Sequence, residues 1–122
     1  KNSVVLVRRD TEKKEIVKVN DLVKKANSVL NDIQKNLFMK ATKFLEEGIV
    51  NVKTLDQFIK ALENKKIVLA PFCNRTECED KIKEKTSSKS LNMPLNQPKL
   101  KKDKCFFCKT PATVFCYFGK SY

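Results

Sequence analysis

The chain has 122 residues, 41% of them hydrophobic, with 26 basic and 14 acidic side chains and a formal net charge of +12. That length suits one domain of ordinary size, and its longest apolar runs, such as Val4–Val7 and Ile67–Phe72, are far too short to span a bilayer. Five cysteines are too few for a disulfide-dense secreted scaffold, and the lysine excess favours an anionic neighbour, usually nucleic acid, without marking a site.

Val4 to Val7 reads as a strand buried on both faces. Arg8, Arg9, Asp10 and Thr11 open a charged loop, after which Ile16, Val17 and Val19 suggest a second strand and hence a hairpin. A lone hairpin is marginal in water, so this one is expected to belong to a sheet whose other strands precede Lys1, placing the sequence inside a larger protein. Asn20 or Asp21 suits a helix N-cap. Leu22, Ala26, Val29, Ile33, Leu37, Ala41 and Phe44, flanked by Val23, Leu30, Phe38 and Leu45, then form an apolar stripe at helical spacing. The stripe predicts a helix of about 26 residues, long for a globular domain, packed on a core and closed by Gly48 in a left-handed conformation.

Thr54 and Gln57 form a capping box for a short amphipathic helix carrying Leu55, Phe58, Ile59 and Leu62, closed by Lys65 and Lys66. Ile67 to Ala70 reads as a buried strand whose pairing Pro71 ends, because proline has no N–H. Thr76 to Glu79 reads as a second capping box, which sets Cys78 in the first turn of a helix, where thiolate is favoured. Ser87 to Ser90 has the composition of a flexible loop, and Leu91, Met93 and Leu95 alternate as a short strand would. Lys99, Lys101, Lys102 and Lys104 suit a solvated loop as readily as a phosphate contact. A knuckle, Cys105 to Cys108, precedes a strand in which Val114, Cys116 and Phe118 share one face.

Cys73, Cys78, Cys105 and Cys108 are spaced C-x4-C and C-x2-C in a chain without histidine. Four thiolates are the soft ligand set that Zn²⁺ prefers, and such a site is closed, so its metal would be structural. Two other readings stand beside it: free buried cysteines, and disulfides. Zinc is preferred, with Cys116 a core residue, because four ligands fill a tetrahedron. The sequence offers no histidine, no phosphate-cradling glycine loop and no acid–base pair, so no catalytic residue is assigned.

The ordered run of these motifs resembles the C-terminal end of eukaryotic and archaeal-type prolyl-tRNA synthetases over essentially the whole chain. Val4 to Thr11 resembles the last part of the anticodon-binding domain. Lys66 to Cys73, then Glu77-Cys78-Glu79-Asp80, resembles the entry to the C-terminal zinc domain, and Lys89 to Pro94 its returning strand. Leu100 to Cys108 and Phe118 to Tyr122 resemble its knuckle and tail. Lys81 stands where the family often has Trp, the Thr86–Lys89 loop is short, and the knuckle is of the C-x2-C type.

The resemblance implies an α/β (α+β) chain: the end of an α/β anticodon-binding domain at 1–20, a long connecting helix at 21–48, and a small mixed-sheet zinc-binding domain with packed helices at 49–122. It implies a parent proline–tRNA ligase, cytoplasmic and homodimeric, that activates proline with ATP and Mg²⁺ and charges tRNA(Pro), its catalytic domain lying outside this segment. It further implies a tail that carries Tyr122 toward the catalytic domain. Arg8 and Arg9, beside the strand at the anticodon-domain end, are the candidate tRNA phosphate contacts, with pairing to Asp10 or Glu12 in the turn as an equal alternative. Two other classes fit less of the pattern: a zinc-containing RNA-binding module, and a structural zinc domain for protein interaction.

Overall fold

The structure, a computed structural model, describes residues 2–121 in two units, Lys1–Phe44 and Leu45–Tyr122. In the first, the β-branched segments pair as the antiparallel hairpin β1 (Ser3–Val7) and β2 (Lys14–Lys18), in register from Ser3↔Lys18 to Val7↔Lys14. Lys13 O accepts from Arg8 N–H, and Arg8 O from Glu12 N–H, with Glu12 at a left-handed φ of 57°. The Arg8 guanidinium grips both carboxylate oxygens of Asp10 at 2.9 Å and also pairs with Asp32. These bonds hold the Asp10 carboxyl below its usual range.

The strand at Val4–Val7 forms, but its expected two-sided burial does not. Val5 and Val7 are 60% and 52% exposed, and of the hairpin only Val17 is buried. The sheet is two strands wide, and among the described residues no second layer covers both its faces.

A 3₁₀ turn at Val19–Asp21 takes up Asn20 and Asp21 and leads straight into the helix α1 (Leu22–Gly48), 27 residues long as the stripe requires. Core packing of that stripe is not found. No residue of α1 is buried, and Leu30, Phe38 and Phe44 are exposed. Gly48 is the last helical residue and keeps a negative φ, because the next strand begins at Ile49 with no intervening turn. No helix among the described residues is long and apolar enough to cross a membrane.

The second unit is built on a four-stranded sheet. β3 (Ile49–Asn51) runs parallel to β4 (Ile67–Phe72), and β6 (Val114–Gly119) and β5 (Lys89–Ser90) extend it antiparallel, in the order β3-β4-β6-β5. The parallel crossover is made by α2 (Leu55–Glu63). Thr54 caps α2 by accepting from Gln57 N–H, while the Gln57 side chain reaches back to Lys53 N–H at 3.1 Å. The other end is a Schellman motif, with Lys65 N–H on Leu62 O and Lys66 N–H on Ala61 O and with Lys65 at φ 56°.

Pro71 does not end β4. Leu69 turns its carbonyl to Val52 N–H, on the β3 side, and Pro71, two residues on, turns its own the same way, to Phe106 N–H at 3.0 Å. Its missing N–H therefore faces away from β6, and the pairing runs on through Phe72↔Val114. The segment read as a flexible loop is also structured. Ser87 takes the left-handed C-cap of α3 (Thr76–Thr86), Ser88 is buried with its hydroxyl 2.6 Å from that of Thr86, and Lys89 and Ser90 form β5. Beyond it, Leu91 and Asn92 both bond to Tyr117, a bulge that ends the strand before Met93 and leaves Leu95 in solvent.

The core between sheet and helices is aromatic. Phe58 stacks on Phe106 with ring centroids 4.4 Å apart, and Phe118 meets Phe58, Phe72 and Phe106 edge-on at 5.3–5.5 Å. Phe58, Phe106 and Phe118 are wholly buried. Replacing Phe118 with Ala removes three ring contacts and leaves a cavity, so the second unit is expected to lose about 3–5 kcal/mol in urea unfolding. A loss below about 1 kcal/mol would show that the site collapses freely.

Candidate metal centre

Two backbone turns deliver the four sulfurs. β4 ends at Phe72, so Cys73 emerges where this inner strand leaves the sheet, and Asn74, at a left-handed φ of 55°, turns the chain into α3. Cys78 is the third residue of α3, in its first turn as expected. The capping box read at Thr76 does not form. Arg75 is the N-cap, its carbonyl accepts from Cys78 and Glu79 N–H, and the Glu79 carboxylate takes the Ser90 hydroxyl instead. The second pair lies on the knuckle, where Cys105 N–H bonds Thr110 O and Lys109 N–H bonds Cys105 O. The Phe106 N–H to Pro71 O bond pins that knuckle two residues from Cys73.

The four Sγ atoms lie within 4.8 Å of one another. Cys73 and Cys108 are 3.6 Å apart, and Cys78 and Cys105 3.9 Å. A tetrahedron with metal–sulfur bonds of about 2.3 Å has edges of about 3.8 Å, so the donor set fits a tetrahedral thiolate centre. The same distances are nearly twice a disulfide bond length of about 2.05 Å, and all five cysteines are free thiols.

Burial sets the electrostatics. Cys73, Cys78 and Cys105 are buried and Cys108 is exposed. Desolvation pushes the Cys78 and Cys105 thiols up, and for Cys78 the neighbouring Cys73 thiol adds to it. Cys108 goes the other way. Desolvation opposes its thiolate, but hydrogen bonds from the Thr110 hydroxyl and backbone, then from the Cys105 and Cys73 thiols, outweigh it and bring it down to about 6. Thr110 Oγ1 is 3.0 Å from Cys108 Sγ. Nothing in the sequence flagged that threonine beyond its place two residues after a cysteine. Cys116 stands apart in the core, its Sγ 3.6 Å from Asn92 O, and burial, then the charge of Glu79, pushes it up to about 11.

The other sequence candidates lie elsewhere. Arg8 is engaged by Asp10 and Asp32, and Arg9 is exposed beside it. Tyr122 is outside the described residues.

A mixed sheet with four sulfurs gathered at the end of an inner strand, and no ligand position left open, has the donor set of a closed, structural metal site. The family described as "Prolyl-tRNA synthetase, C-terminal" matches residues 55–122, a span that holds all four cysteines. The proline–tRNA ligase of Nanoarchaeum equitans is 36% identical over 99% of this chain and 22% of its own length, and the cytoplasmic one of Arabidopsis thaliana 38% identical over 99% and 24%. The crystal structure of the Cryptosporidium parvum prolyl-tRNA synthetase superposes with a TM-score of 0.92 at 38% identity, covering 100% of this chain and 26% of that one. The chain belongs to the prolyl-tRNA synthetase family and corresponds to its C-terminal, non-catalytic portion. It spans about a quarter of the length of the relatives it matches.

Titration with Co²⁺ should give the intense thiolate charge-transfer absorption of a tetrahedral centre. Cys116→Ala should keep that spectrum, whereas Cys105→Ser should lower it and weaken binding. Thr110→Val, which removes the partner of Cys108, should cost roughly tenfold in metal affinity. An altered spectrum in Cys116→Ala would mean that the fourth ligand is wrongly chosen.

Proposed function

We propose that this chain is the zinc-held C-terminal portion of a proline–tRNA ligase. Its parent would activate proline with ATP and Mg²⁺ on a separate catalytic domain, charge tRNA(Pro), and work as a cytoplasmic homodimer. The observation that carries this reading is the family match over residues 55–122 with the four-sulfur site inside it. The Cryptosporidium parvum relative is a complex with halofuginone and AMPPNP, and the Arabidopsis thaliana relative is named cytoplasmic.

Zinc suits the site because the donors are all sulfur, the spacing is tetrahedral and the geometry leaves no position for water. Bound there, it would supply a cross-link between the β4–α3 turn and the knuckle. Cys73, Cys78, Cys105 and Cys108 hold it, and Phe106 carries the constraint into the aromatic core. An RNA-binding module reading is less well supported in the second unit, since Phe58, Phe72, Phe106 and Phe118 there pack on one another and offer bases no stacking surface. A role for Tyr122 toward the catalytic domain rests on the resemblance alone.

Plasma mass spectrometry of the full-length protein should find one zinc per chain, and proline-dependent ATP–pyrophosphate exchange should be present. Absence of exchange in the zinc-loaded full-length protein would overturn the ligase assignment. For tRNA, Arg8 and Arg9 are proposed as phosphate contacts. Arg9 is open, while Arg8 must share its guanidinium with Asp10 and Asp32. Arg9→Ala should therefore weaken tRNA affinity more than Arg8→Ala and cut the salt dependence of log K by roughly 0.7–0.9. An unchanged salt slope would remove Arg9 from the interface.

A further inference from the structure

The four sulfurs of the metal centre are not equally open to solvent. Cys73, Cys78 and Cys105 are buried, whereas Cys108 is exposed. Metal ligation would keep all four as thiolates, so exposure decides which of them a dissolved reagent reaches first. Cys73 Sγ stands 3.6 Å from Cys108 Sγ. The backbone fixes that approach: Pro71 O accepts from Phe106 N–H at 3.0 Å, and Cys73 and Cys108 each lie two residues beyond that bond. Closing the gap to a disulfide of about 2.05 Å takes a displacement of roughly 1.5 Å, shared by two side chains. The other close pair, Cys78 and Cys105 at 3.9 Å, is buried at both residues. Cys116 is set apart in the core against Asn92 O.

Given the zinc reading above, we propose that the centre is a redox switch for hydroperoxides, in which Cys108 is the sulfur that reacts and Cys73 the one that resolves it into a disulfide. Cys108 Sγ attacks one oxygen of hydrogen peroxide, the O–O bond breaks, and hydroxide leaves. The sulfur has then lost two electrons and is a sulfenic acid. Cys73 Sγ attacks that sulfur, the S–O bond breaks, and a second hydroxide leaves as the S–S bond forms. In sum, two thiolates and one hydrogen peroxide give one disulfide and two hydroxides. Cys78 and Cys105 stay reduced. Two sulfurs do not complete a tetrahedral thiolate site, so the ion is released. The new bond joins the end of β4 to the knuckle, which is the link the ion would supply, while α3 loses its tie to Cys105. Phe106, held by Pro71 O and stacked on Phe58, keeps its place.

The test treats the zinc-loaded full-length protein with hydrogen peroxide, follows released zinc with a chromogenic chelator, and maps the cysteines by differential alkylation and mass spectrometry. Peroxide should speed zinc release at least about tenfold over untreated protein, with one disulfide formed per zinc released. That disulfide should be Cys73–Cys108, with Cys78, Cys105 and Cys116 open to alkylation once the chain is unfolded. Dimedone present during oxidation should label Cys108 ahead of the other cysteines. Dithiothreitol with added zinc should restore the metal, and Cys116→Ala should respond as the wild type does. A first disulfide between any other pair, zinc lost without a disulfide, release that needs Cys116, or a loss that dithiothreitol does not reverse would overturn the switch and leave the zinc reading standing. So would zinc retained at a peroxide dose that fully oxidises free N-acetylcysteine. Full-length protein that binds no zinc would overturn both.

Discussion

Cys78 and Cys105 are 27 residues apart and must bring their sulfurs to 3.9 Å, and most of the second unit follows from that requirement. The residue after Cys105 is Phe106, whose N–H is bonded to β4 and whose ring stacks on Phe58 of α2. One backbone position thus belongs to both the sulfur cluster and the aromatic core. Without a cation, burial keeps the Cys78 and Cys105 thiols protonated, and the cluster holds the turns together only through weak S–H contacts. A divalent ion changes this, because thiolates form as it binds and its binding free energy becomes folding free energy. The small core then does not have to close the knuckle unaided.

The site was legible in the sequence because its chemistry is set by residue type and spacing, and neither depends on distant structure. The lengths of α1 and α2 and the strands β4 and β6 were legible for a similar reason, since apolar periodicity reports an element wherever it packs, whereas the three residues of β3, which make the sheet mixed, are too few to show a period. The misreadings all came from local rules that tertiary contacts overrode. Pro71 should have ended β4, but its missing donor falls on the side where β3 has already stopped. Thr76 and Glu79 had capping-box spacing, but Ser90 takes the carboxylate. Ser87 to Ser90 had loop composition, yet three of the four residues are a cap and a strand, and the fourth is buried. Lys65 fills a left-handed position that usually calls for glycine, so the Schellman motif left no mark in the sequence.

The first unit shows a different limit. The stripe on α1 and the continuous apolar run in β1 describe faces that avoid water, and both elements formed, though without the burial read for them. Periodicity does not say what covers such a face. Here Val5, Val7, Leu30 and Phe38 remain exposed, so the pattern records a demand for burial that the described residues do not meet. Arg8 shows the same gap at a single side chain. Its sequence context suited a phosphate contact or pairing with Asp10 equally, and its geometry takes the second, adding Asp32 from a helix 24 residues away, which no local rule could name.

Charge also has to be read by place. The chain carries +12 overall, but four thiolates around a divalent ion leave a local charge of about −2. Cys108, exposed and already favouring thiolate, is where that charge would meet solvent. A polyanion would be repelled there, although Lys104 and Lys109 flank the knuckle. At the other end of β4 the chain instead gathers Lys65, Lys66, Lys89 and Lys120. One strand of six residues therefore separates a closed, metal-shaped end from an open, basic one. The net charge of the chain predicts neither end by itself, and the residues at the two termini of β4 decide both.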